Sequence, residues 1–226
     1  MLLSLIKDVL AASKSQNAVK RRPGVNSVLN VGGGSKSTPI SSHFDGWQHD
    51  LLDIDPKGAP DLVCDARQLR TLPGGSYDAV YCSHNLEHYY RHEGLNVVRG
   101  FHHILNETGF AEIRVPDIEQ VMAAMREQQL ELDDVLYQSP AGPITAHDVV
   151  YGLQIEIQTS GQDFYAHKTG FTPKSLGKIL MDGGFPLVFL STEQERLAVH
   201  ALAFKTEPTD AQYELLRSTW NISRPA

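Results

Sequence analysis

The chain has 226 residues, enough for one sizeable hydrophobic core and too few for two ordinary domains joined by a linker. Hydrophobic residues make up 41% and charged residues 21% of it, and the formal net charge is −7. This acidic balance argues against a nucleic-acid-binding protein, which usually presents a basic face. No apolar run reaches the roughly 18 residues needed to span a membrane.

The first 15 residues, MLLSLIKDVLAASKS, predict an amphipathic helix. A secretion signal is the alternative, but a signal carries its cations before the apolar stretch. Here Lys7 lies inside that stretch and Asp8 follows it directly, so we expect a cytoplasmic protein. Cys64 and Cys82 lie in apolar, strand-like runs and are expected to be small buried hydrophobic residues, not disulfide partners or metal ligands.

Short apolar runs predict four strands in the first half of the chain, at residues 25–31, 47–55, 60–66 and 77–83. In the second half, helical spacing and caps predict three helices: one over 93–106, one that begins at the N-cap Asp117, and one over 172–185. A fifth strand is predicted at 110–115, and PLVFLST and RLAVHALAFK are predicted to form a closing hairpin. The order of these elements gives three units. They are an N-terminal helix over 1–24, one domain over 25–205, and a polar tail over 206–226 that is predicted to contain a last helix.

Residues 131–170 have no clean periodicity and contain the breaker-rich stretch SPAGP. Such a segment is long for a plain connection, and long irregular connections usually carry function or short helices. We therefore expect residues 131–170 to form an insertion or lid on the substrate side of the domain.

Strands that alternate with helices predict a mostly parallel sheet with right-handed crossovers, to which the final hairpin adds one antiparallel strand. Ligands of such sheets bind beyond the carboxyl ends of the strands, where the strand order reverses. The first four predicted strands end at Gly32, Asp53–Asp55, Asp65 and Ser83–His84. The sequence therefore places its polar residues where a nucleotide-type ligand would bind.

Three consecutive glycines, Gly32, Gly33 and Gly34, follow the first strand. Glycine permits a positive φ and a close approach of the backbone to a ligand. Asp53, nineteen residues past Gly34 at the end of the second strand, can accept hydrogen bonds from both hydroxyls of a ribose. Asp55 is the alternative for this role.

The remaining candidate contacts follow the second, third and fourth strands. Asp65 can accept a hydrogen bond from the exocyclic amine of adenine, and the backbone N–H of Ala66 can donate one to a ring nitrogen. Ile54, next to Asp53, and Ser83, at the tip of the fourth strand, complete the predicted ligand site.

With these residues in place, the chain resembles the class I S-adenosylmethionine-dependent methyltransferases. It is most similar to a small bacterial branch of methyltransferase-type-11 proteins that is linked to surface-polysaccharide gene sets. The matching segments are LNVGGGS (29–35), GWQHDLLDIDP (46–56), PDLVCDARQLRTLPGGSYDAVYCSHNLEHY (60–89), VVRGFHHILNETGFAEIRVPD (97–117) and HKTGFTPKSLGKILMDGGF (167–185).

The resemblance covers about residues 25–205 and implies a Rossmann-like α/β fold. The expected sheet has seven mostly parallel strands in the order 3-2-1-4-5-7-6, with the last strand antiparallel and helices on both faces. It also implies that the cofactor S-adenosylmethionine lies across the ends of the first four strands.

Two positions depart from the family pattern. Asn30 stands where the family usually has an acidic residue that helps to hold the ammonium of the cofactor, and Lys36 stands where it usually has glycine. These departures motivate a second hypothesis, a non-catalytic protein that binds S-adenosylmethionine. A dinucleotide-binding oxidoreductase fits less well, because the third glycine of G-x-G-x-x-G would fall at Ser37.

The segment HNLEH at 84–88 also matches H-x-x-E-H, the inverted zinc-protease pattern. A metallopeptidase would need a further ligand, for example Glu156. However, the segment follows a strand and SHNLEH matches the methyltransferase family, so we predict no metal and expect Glu87 and His88 to orient the loop.

Methyl transfer from a sulfonium is an in-line displacement in which the protein mainly aligns the reactants and excludes water. A hydroxyl acceptor benefits from a general base, and His84 is the first candidate, with His167 the second. We expect a small polar acceptor, with a sugar or glycan hydroxyl suggested by the family association. Polar and aromatic groups expected on the acceptor side are Tyr151, Gln154, Glu156, Tyr165 and Lys168.

Overall fold

The computed structural model describes residues 21–139 and 142–224. The strands of its large sheet are β1 (Ser27–Val31), β2 (Gln48–Asp53), β3 (Leu62–Val63), β4 (Tyr77–Ser83), β5 (Leu105–Pro116), β8 (Leu187–Glu193) and β9 (Ala198–Phe204), and a separate pair consists of β6 (Val135–Ser139) and β7 (Gly142–Thr145). The helix predicted for the first 15 residues lies outside the described residues.

The large sheet has the strand order β3-β2-β1-β4-β5-β9-β8. Its first five strands are parallel, and β9 runs antiparallel to both of its neighbours, β5 and β8. The predicted order 3-2-1-4-5-7-6 is confirmed, because the extra pair β6 and β7 only shifts the numbering of the last two strands.

Six helices connect or cover these strands in the described part of the chain. They are α1 (Arg91–Ile104), α2 (Ile118–Gln128), α3 (Ala146–Tyr151), α4 (Gln154–Ser160), α5 (Pro173–Asp182) and α6 (Asp210–Trp220). The predicted N-cap Asp117 is confirmed, since its side chain accepts from the N–H of Glu119 at 3.1 Å. Thr172 caps the helix that follows it in the same way, accepting from the N–H of Ser175 at 3.3 Å. No helix of the described residues is long and apolar enough to cross a membrane.

One predicted boundary is wrong. The fifth strand was expected at 110–115 after a helix over 93–106, but the helix ends at Ile104 and β5 begins at Leu105. The reason is long-range pairing, since Leu105 lies opposite Tyr77 of β4. A propensity argument cannot detect this pairing, because the partners are far apart in sequence.

The central strands of the large sheet are buried on both faces, as in β1, where every residue is buried, which explains why they read as continuous apolar runs. Successive side chains of a strand point to opposite faces, and Val28 and Leu29 of β1 accordingly belong to different clusters. Leu29 packs in the cluster that contains Phe101 of α1 and Leu180 of α5, while Val28 shares a cluster with Leu216 of α6. The last helix, α6, is thus packed on the sheet.

Cys64 and Cys82 are buried free thiols, as predicted.

The irregular segment that follows α2 forms the antiparallel pair β6–β7 and the short helices α3 and α4. A small cluster of its own joins this segment to α2, and its buried members are Val121, Leu136, Ala146 and Val149. The far end of the segment returns to the carboxyl ends of the parallel strands. There the hydroxyl of Tyr165 donates to Asp55 at 2.9 Å, and the N–H of Lys168 donates to the carbonyl of Glu87 at 2.8 Å.

Candidate active site

A cavity of about 370 Å³ lies at the carboxyl ends of β1, β2 and β4, a volume in the range of small-molecule sites. The predicted site residues that line it are Gly32, Gly34, Asp53, Ile54, Asp65 and His84. Those that do not line it are Asn30, Gly33, Ala66, Ser83 and His167. Of the residues expected on the acceptor side, Glu156, Tyr165 and Lys168 line this cavity.

The glycine loop after β1 needs its glycines for packing as well as for access. Gly32 and Gly34 have φ values of +72° and +66°, the left-handed region that favours glycine. A Cβ added at Gly32 would lie 2.1 Å from Nδ2 of Asn85, and one added at Gly33 would lie 2.2 Å from Nδ2 of Asn30. At Gly34 an added Cβ would meet nothing within 4 Å, so the open space of the loop lies at this residue.

Gly58, in the turn after β2, is a further cavity residue that was not predicted. It ends the short 3₁₀ turn Pro56–Gly58 and lines the cavity. A Cβ at Gly58 would lie 1.6 Å from the backbone carbonyl oxygen of Gly34. The backbones after β1 and β2 therefore touch each other at a point where no side chain fits.

Asp53 joins the same two backbones through its carboxylate. Its Oδ2 accepts from the N–H of Gly34 and its Oδ1 from the N–H of Asp55, each at 2.9 Å. Because each carboxylate oxygen offers two lone pairs, Asp53 keeps acceptor capacity toward the cavity that it lines. The competing candidate, Asp55, is occupied by the N–H of Lys57 and the hydroxyl of Tyr165, which together hold its pKa below the ordinary value.

Asp65 caps the 3₁₀ turn that follows β3. Its carboxylate is held in place by hydrogen bonds from Arg67. Its carboxylate accepts from the backbone N–H of Arg67 at 2.9 Å and from the guanidinium at 2.6 Å, and that guanidinium also binds Glu93 at 2.5 Å. Burial raises the pKa of Asp65, but these hydrogen bonds outweigh burial and hold the pKa below its ordinary value. Arg67 and Glu93 both line the cavity, and neither was predicted.

His84 lies at the end of β4 with a φ of +51°, an unfavourable conformation for a residue with a side chain. Its N–H donates to the carbonyl of Arg114 at 2.8 Å, which fixes the backbone there. The ring is 47% exposed and lies in the cavity, and its Nδ1 is 3.4 Å from Oε1 of Glu87. The predicted position of His84 at the strand tip therefore agrees with the structure.

His167 does not line the cavity, although a general base would have to reach it; His167 packs against His88, which does line the cavity. The rings of His88 and His167 meet edge to face, with centroids 4.7 Å apart. The Nδ1 of His167 is 2.8 Å from the carbonyl of Val149, and the Nδ1 of His88 is 3.2 Å from the carbonyl of Ala166. Burial lowers the pKa of His167 against the opposing charge of Glu87.

The H-x-x-E-H pattern does not form a zinc-protease helix. Its last three residues form the 3₁₀ turn Leu86–His88, and His84 precedes that turn at the strand end. The backbone carbonyl of Glu87 accepts from the N–H groups of Lys168 and Thr169. These backbone hydrogen bonds connect Lys168 and Thr169 to the turn that follows β4.

The two departures from the family pattern have different surroundings. Lys36 is held by Asp61, with Nζ to carboxylate distances of 2.8 and 2.6 Å, and it is not among the residues that line the cavity. Asn30 is buried beneath Gly33, and its Oδ1 has no hydrogen-bond partner among the residues that the structure describes. The cation of Lys36 thus lies on a neighbouring carboxylate and does not face a ligand in the cavity.

A second cavity, of about 860 Å³, lies between α1 and α5. Basic groups are frequent in its wall: Arg91, His92, Lys168, Lys174 and Lys178. Lys168 lines both cavities. A positive region in a chain with a net charge of −7 is suited to a negatively charged ligand group.

No protein-family model matches the chain, and no curated protein matches its sequence. Solved structures do share its fold, the Rossmann-like α/β fold found in S-adenosylmethionine-dependent methyltransferases. One is such a methyltransferase from Methanosarcina mazei, 15% identical, with a TM-score of 0.50 over 80% of this chain and 92% of that one.

Two further structures align over similar lengths. The first is a possible exported protein from Bordetella parapertussis, 16% identical, with a TM-score of 0.51 over 88% of this chain and 68% of that one. The second comes from the complex of the Haloferax volcanii Trm112 methyltransferase activator with its candidate methyltransferase, 12% identical, with a TM-score of 0.51 over 87% and 88%. At these identities the likeness establishes the fold alone.

Proposed function

We propose that this protein is an S-adenosylmethionine-dependent methyltransferase acting on a hydroxyl of a small polar acceptor. The observation that carries the proposal is the cavity in which Gly34, Asp53 and Asp65 converge from three neighbouring strand ends. Two of these residues are carboxylates with fixed orientation, and the third leaves open space beside the backbone. A nucleoside with a ribose and an amino-substituted base matches this combination.

Different residues of the cavity wall would bind different parts of the cofactor. Asp53 would accept from the ribose hydroxyls, and Asp65 from the exocyclic amine of adenine. Ile54, whose side chain is 41% exposed in the cavity wall, would pack against the flat base. The glycine loop would leave room for the remainder of the molecule next to Gly34.

The acceptor would enter beside His84. Transfer breaks the bond between sulfur and the methyl carbon, forms an oxygen–carbon bond, and releases the proton of the acceptor hydroxyl, which the ring of His84 is placed to accept. The leaving thioether needs no acid, so alignment and exclusion of water are the main tasks of the protein. His167 lies behind His88 and is not proposed to touch the acceptor.

A sugar or glycan hydroxyl remains our proposal for the acceptor class. Sugars offer hydroxyls to His84, and the cation-lined second cavity would accommodate a phosphate or carboxylate carried by the same molecule. Lys168 supports this arrangement, because it lines both cavities and would lie between the reacting hydroxyl and the anionic group.

A non-catalytic S-adenosylmethionine-binding protein is the second candidate. Asn30 favours it, because an amide supplies no charge to the ammonium of the cofactor. Its buried Oδ1 can still accept a hydrogen bond, so binding is expected in either case and turnover separates the two candidates.

Calorimetric titration of the full chain with S-adenosylmethionine and S-adenosylhomocysteine tests the proposal, with NAD and ATP as control nucleotides. We expect one site per chain for the two sulfur compounds and no comparable heat from the controls. Release of S-adenosylhomocysteine is then measured across neutral and phosphorylated sugars. Failure to bind S-adenosylmethionine overturns the proposal, whereas binding without turnover on every acceptor favours the second candidate.

A further inference from the structure

Glu87 is a buried carboxylate with few polar contacts in the described part of the chain. The residue is 1% exposed, and among residues 21–139 and 142–224 neither Oε1 nor Oε2 has a hydrogen-bond partner of standard geometry. The nearest cation candidate is His84, whose Nδ1 lies 3.4 Å from Oε1 of Glu87. An ionised carboxylate in such a place is costly unless a proton, a cation or a metal compensates it.

Two imidazoles adjoin this carboxylate. One ligand atom from each of Glu87, His88 and His167 can be chosen so that all three lie within 4.8 Å of one another. His88 and His167 are 79 positions apart in the sequence, and the return of the insertion to the sheet brings them together. The cluster therefore exists only in the folded chain.

The two histidines also have the surroundings of metal ligands. The Nδ1 of each lies within hydrogen-bond distance of a backbone carbonyl, Ala166 for His88 and Val149 for His167. A carbonyl can only accept, so each Nδ1 carries the proton and each Nε2 keeps a free lone pair. Metal-binding histidines are typically oriented by this kind of hydrogen bond from the second ring nitrogen.

We propose that Glu87, His88 and His167 bind a divalent transition metal, with zinc as the ion that suits them best. Two imidazoles and one carboxylate form the ligand set of open zinc sites, in which the fourth position is left to water or substrate. Magnesium and calcium prefer oxygen ligands, so they are expected to bind poorly. This inference departs from the absence of metal that the sequence predicts.

Binding requires a small contraction of the cluster. Ligands around a tetrahedral zinc with bonds of about 2.0 Å lie roughly 3.3 Å apart, whereas the three ligand atoms here are separated by up to 4.8 Å. Rotation of side chains can supply this change, because His88 and Glu87 belong to one short turn and His167 to the opposing segment. The metal would then link the insertion to the sheet.

The role of the site rests on the proposed function, but its existence does not. His88 lines the cofactor cavity, so the open position of the metal would face the region assigned to the acceptor. A metal-bound hydroxyl loses its proton more readily than a free one. The ligand class at the open position is therefore water or an acceptor hydroxyl.

The test uses the full chain after treatment with a chelator. Zinc chloride is titrated by calorimetry, cobalt chloride is followed by its visible absorption, and magnesium chloride is the control ion. We expect one zinc per chain, cobalt bands typical of four-coordinate sites, and no heat from magnesium. Glu87→Gln and His167→Ala are each expected to weaken zinc binding at least a hundredfold, and His92→Ala, which alters a histidine of α1 outside the cluster, is expected to leave it unchanged.

Thermal unfolding provides a second measurement. Zinc should raise the Tm of the wild type and of His92→Ala, because it joins two segments of the fold, and should leave the Tm of His167→Ala unchanged. If Glu87→Gln does not fold, His167→Ala and its control still decide the question. No zinc binding by the wild type, or equal binding by His167→Ala, overturns the site. If the chain binds zinc but does not bind S-adenosylmethionine, the metal site is supported and the proposed methyltransferase function is overturned.

Discussion

The carboxylate of Asp53 binds the backbone N–H of Gly34, with 2.9 Å between Oδ2 and the amide nitrogen. This hydrogen bond connects the end of β2 to the glycine loop after β1, across the region where strand order reverses. Asp53 therefore affects a ligand in the cavity in two ways. It sets the position of the loop, and it offers its remaining lone pairs to the ligand.

Replacement of this carboxylate tests both consequences. We expect Asp53→Ala to weaken S-adenosylmethionine binding at least tenfold, which corresponds to about 1.4 kcal/mol. The matched control is Asp78→Ala, since Asp78 also accepts from a backbone N–H, that of Ser27 at 2.7 Å, but lies at the start of β4, at the other end of the sheet. Calorimetry should give the control the dissociation constant of the wild type. An unchanged constant for Asp53→Ala would show that the ribose contact is misplaced.

The contact between Gly58 and Gly34 leads to a second prediction. Gly58→Ala places a methyl group against the carbonyl of Gly34, where an added Cβ would be 1.6 Å away, so one of the two backbones must move. We expect a lower Tm and at least tenfold weaker cofactor binding. Gly46→Ala is the control: Gly46 has a φ of +83° and open space around it, so it should lose about 1–2 kcal/mol of stability and retain cofactor affinity. Normal binding by Gly58→Ala would contradict this view of the loop.

Much of this arrangement could be predicted, because it depends on local sequence. Asp117 and Thr172 cap helices with side chains that bind N–H groups two or three residues away. The ends of the parallel strands were located from apolar runs followed by glycine or aspartate. Strands in a parallel sheet have their carboxyl ends on one edge, so Gly34, Asp53 and Asp65 could be expected to meet there.

The remaining features depend on contacts between distant parts of the chain. The salt bridge from Arg67 to Glu93 joins residues 26 apart, and the edge-to-face pair of His88 and His167 joins residues 79 apart. No periodicity encodes such pairs. The pair β6–β7 was also missed, because its strands are short and only partly buried and so lack the apolar alternation of a half-buried strand.

Arg67 gives the cofactor site a dependence on pH that can be measured. Burial raises the pKa of Asp65, but hydrogen bonds from Arg67 reverse the shift and hold the pKa below its ordinary value. A carboxylate with a lowered pKa contributes its full stabilisation above the unfolded-state value, about 3.9, and loses it as the pH falls further. We therefore expect wild-type affinity for S-adenosylmethionine to stay constant from about pH 8 to about pH 5.

Arg67→Gln removes the guanidinium and leaves only the backbone N–H of residue 67 and the charge of Lys168 to oppose burial, so the pKa of Asp65 should rise and affinity should decline at a higher pH than in the wild type. Arg70→Gln is the control, because Arg70 lies on the same 3₁₀ turn and does not line the cavity. Titrations of S-adenosylmethionine at half-unit steps of pH compare the three proteins. Identical pH profiles for Arg67→Gln and Arg70→Gln would contradict the assignment of Asp65 as an ionised acceptor.

The hydroxyl of Tyr165 closes the cavity from the side of the insertion by donating to Asp55 at 2.9 Å. Tyr165→Phe removes one hydrogen bond worth about 1 kcal/mol, so the population in which this segment is open should rise about fivefold. Amide hydrogen exchange of His167, whose N–H donates to the carbonyl of Tyr151, should accelerate by a similar factor. Tyr151→Phe, at a ring that is half exposed and does not line the cofactor cavity, should not change it.

The basic wall of the second cavity predicts how acceptors are distinguished. Lys174 and Lys178 both line it, but the ammonium of Lys178 is already held by Asp182 at 2.8 and 3.0 Å. If the anionic part of an acceptor binds here, Lys174→Ala should raise KM for a phosphorylated sugar at least fivefold, with little change in kcat. Lys178→Ala should have a smaller effect, because its charge is partly neutralised, and neither change should alter KM for a neutral sugar. Equal increases in KM for charged and neutral acceptors would mean that the lysine acts on the fold and not on the charge of the acceptor.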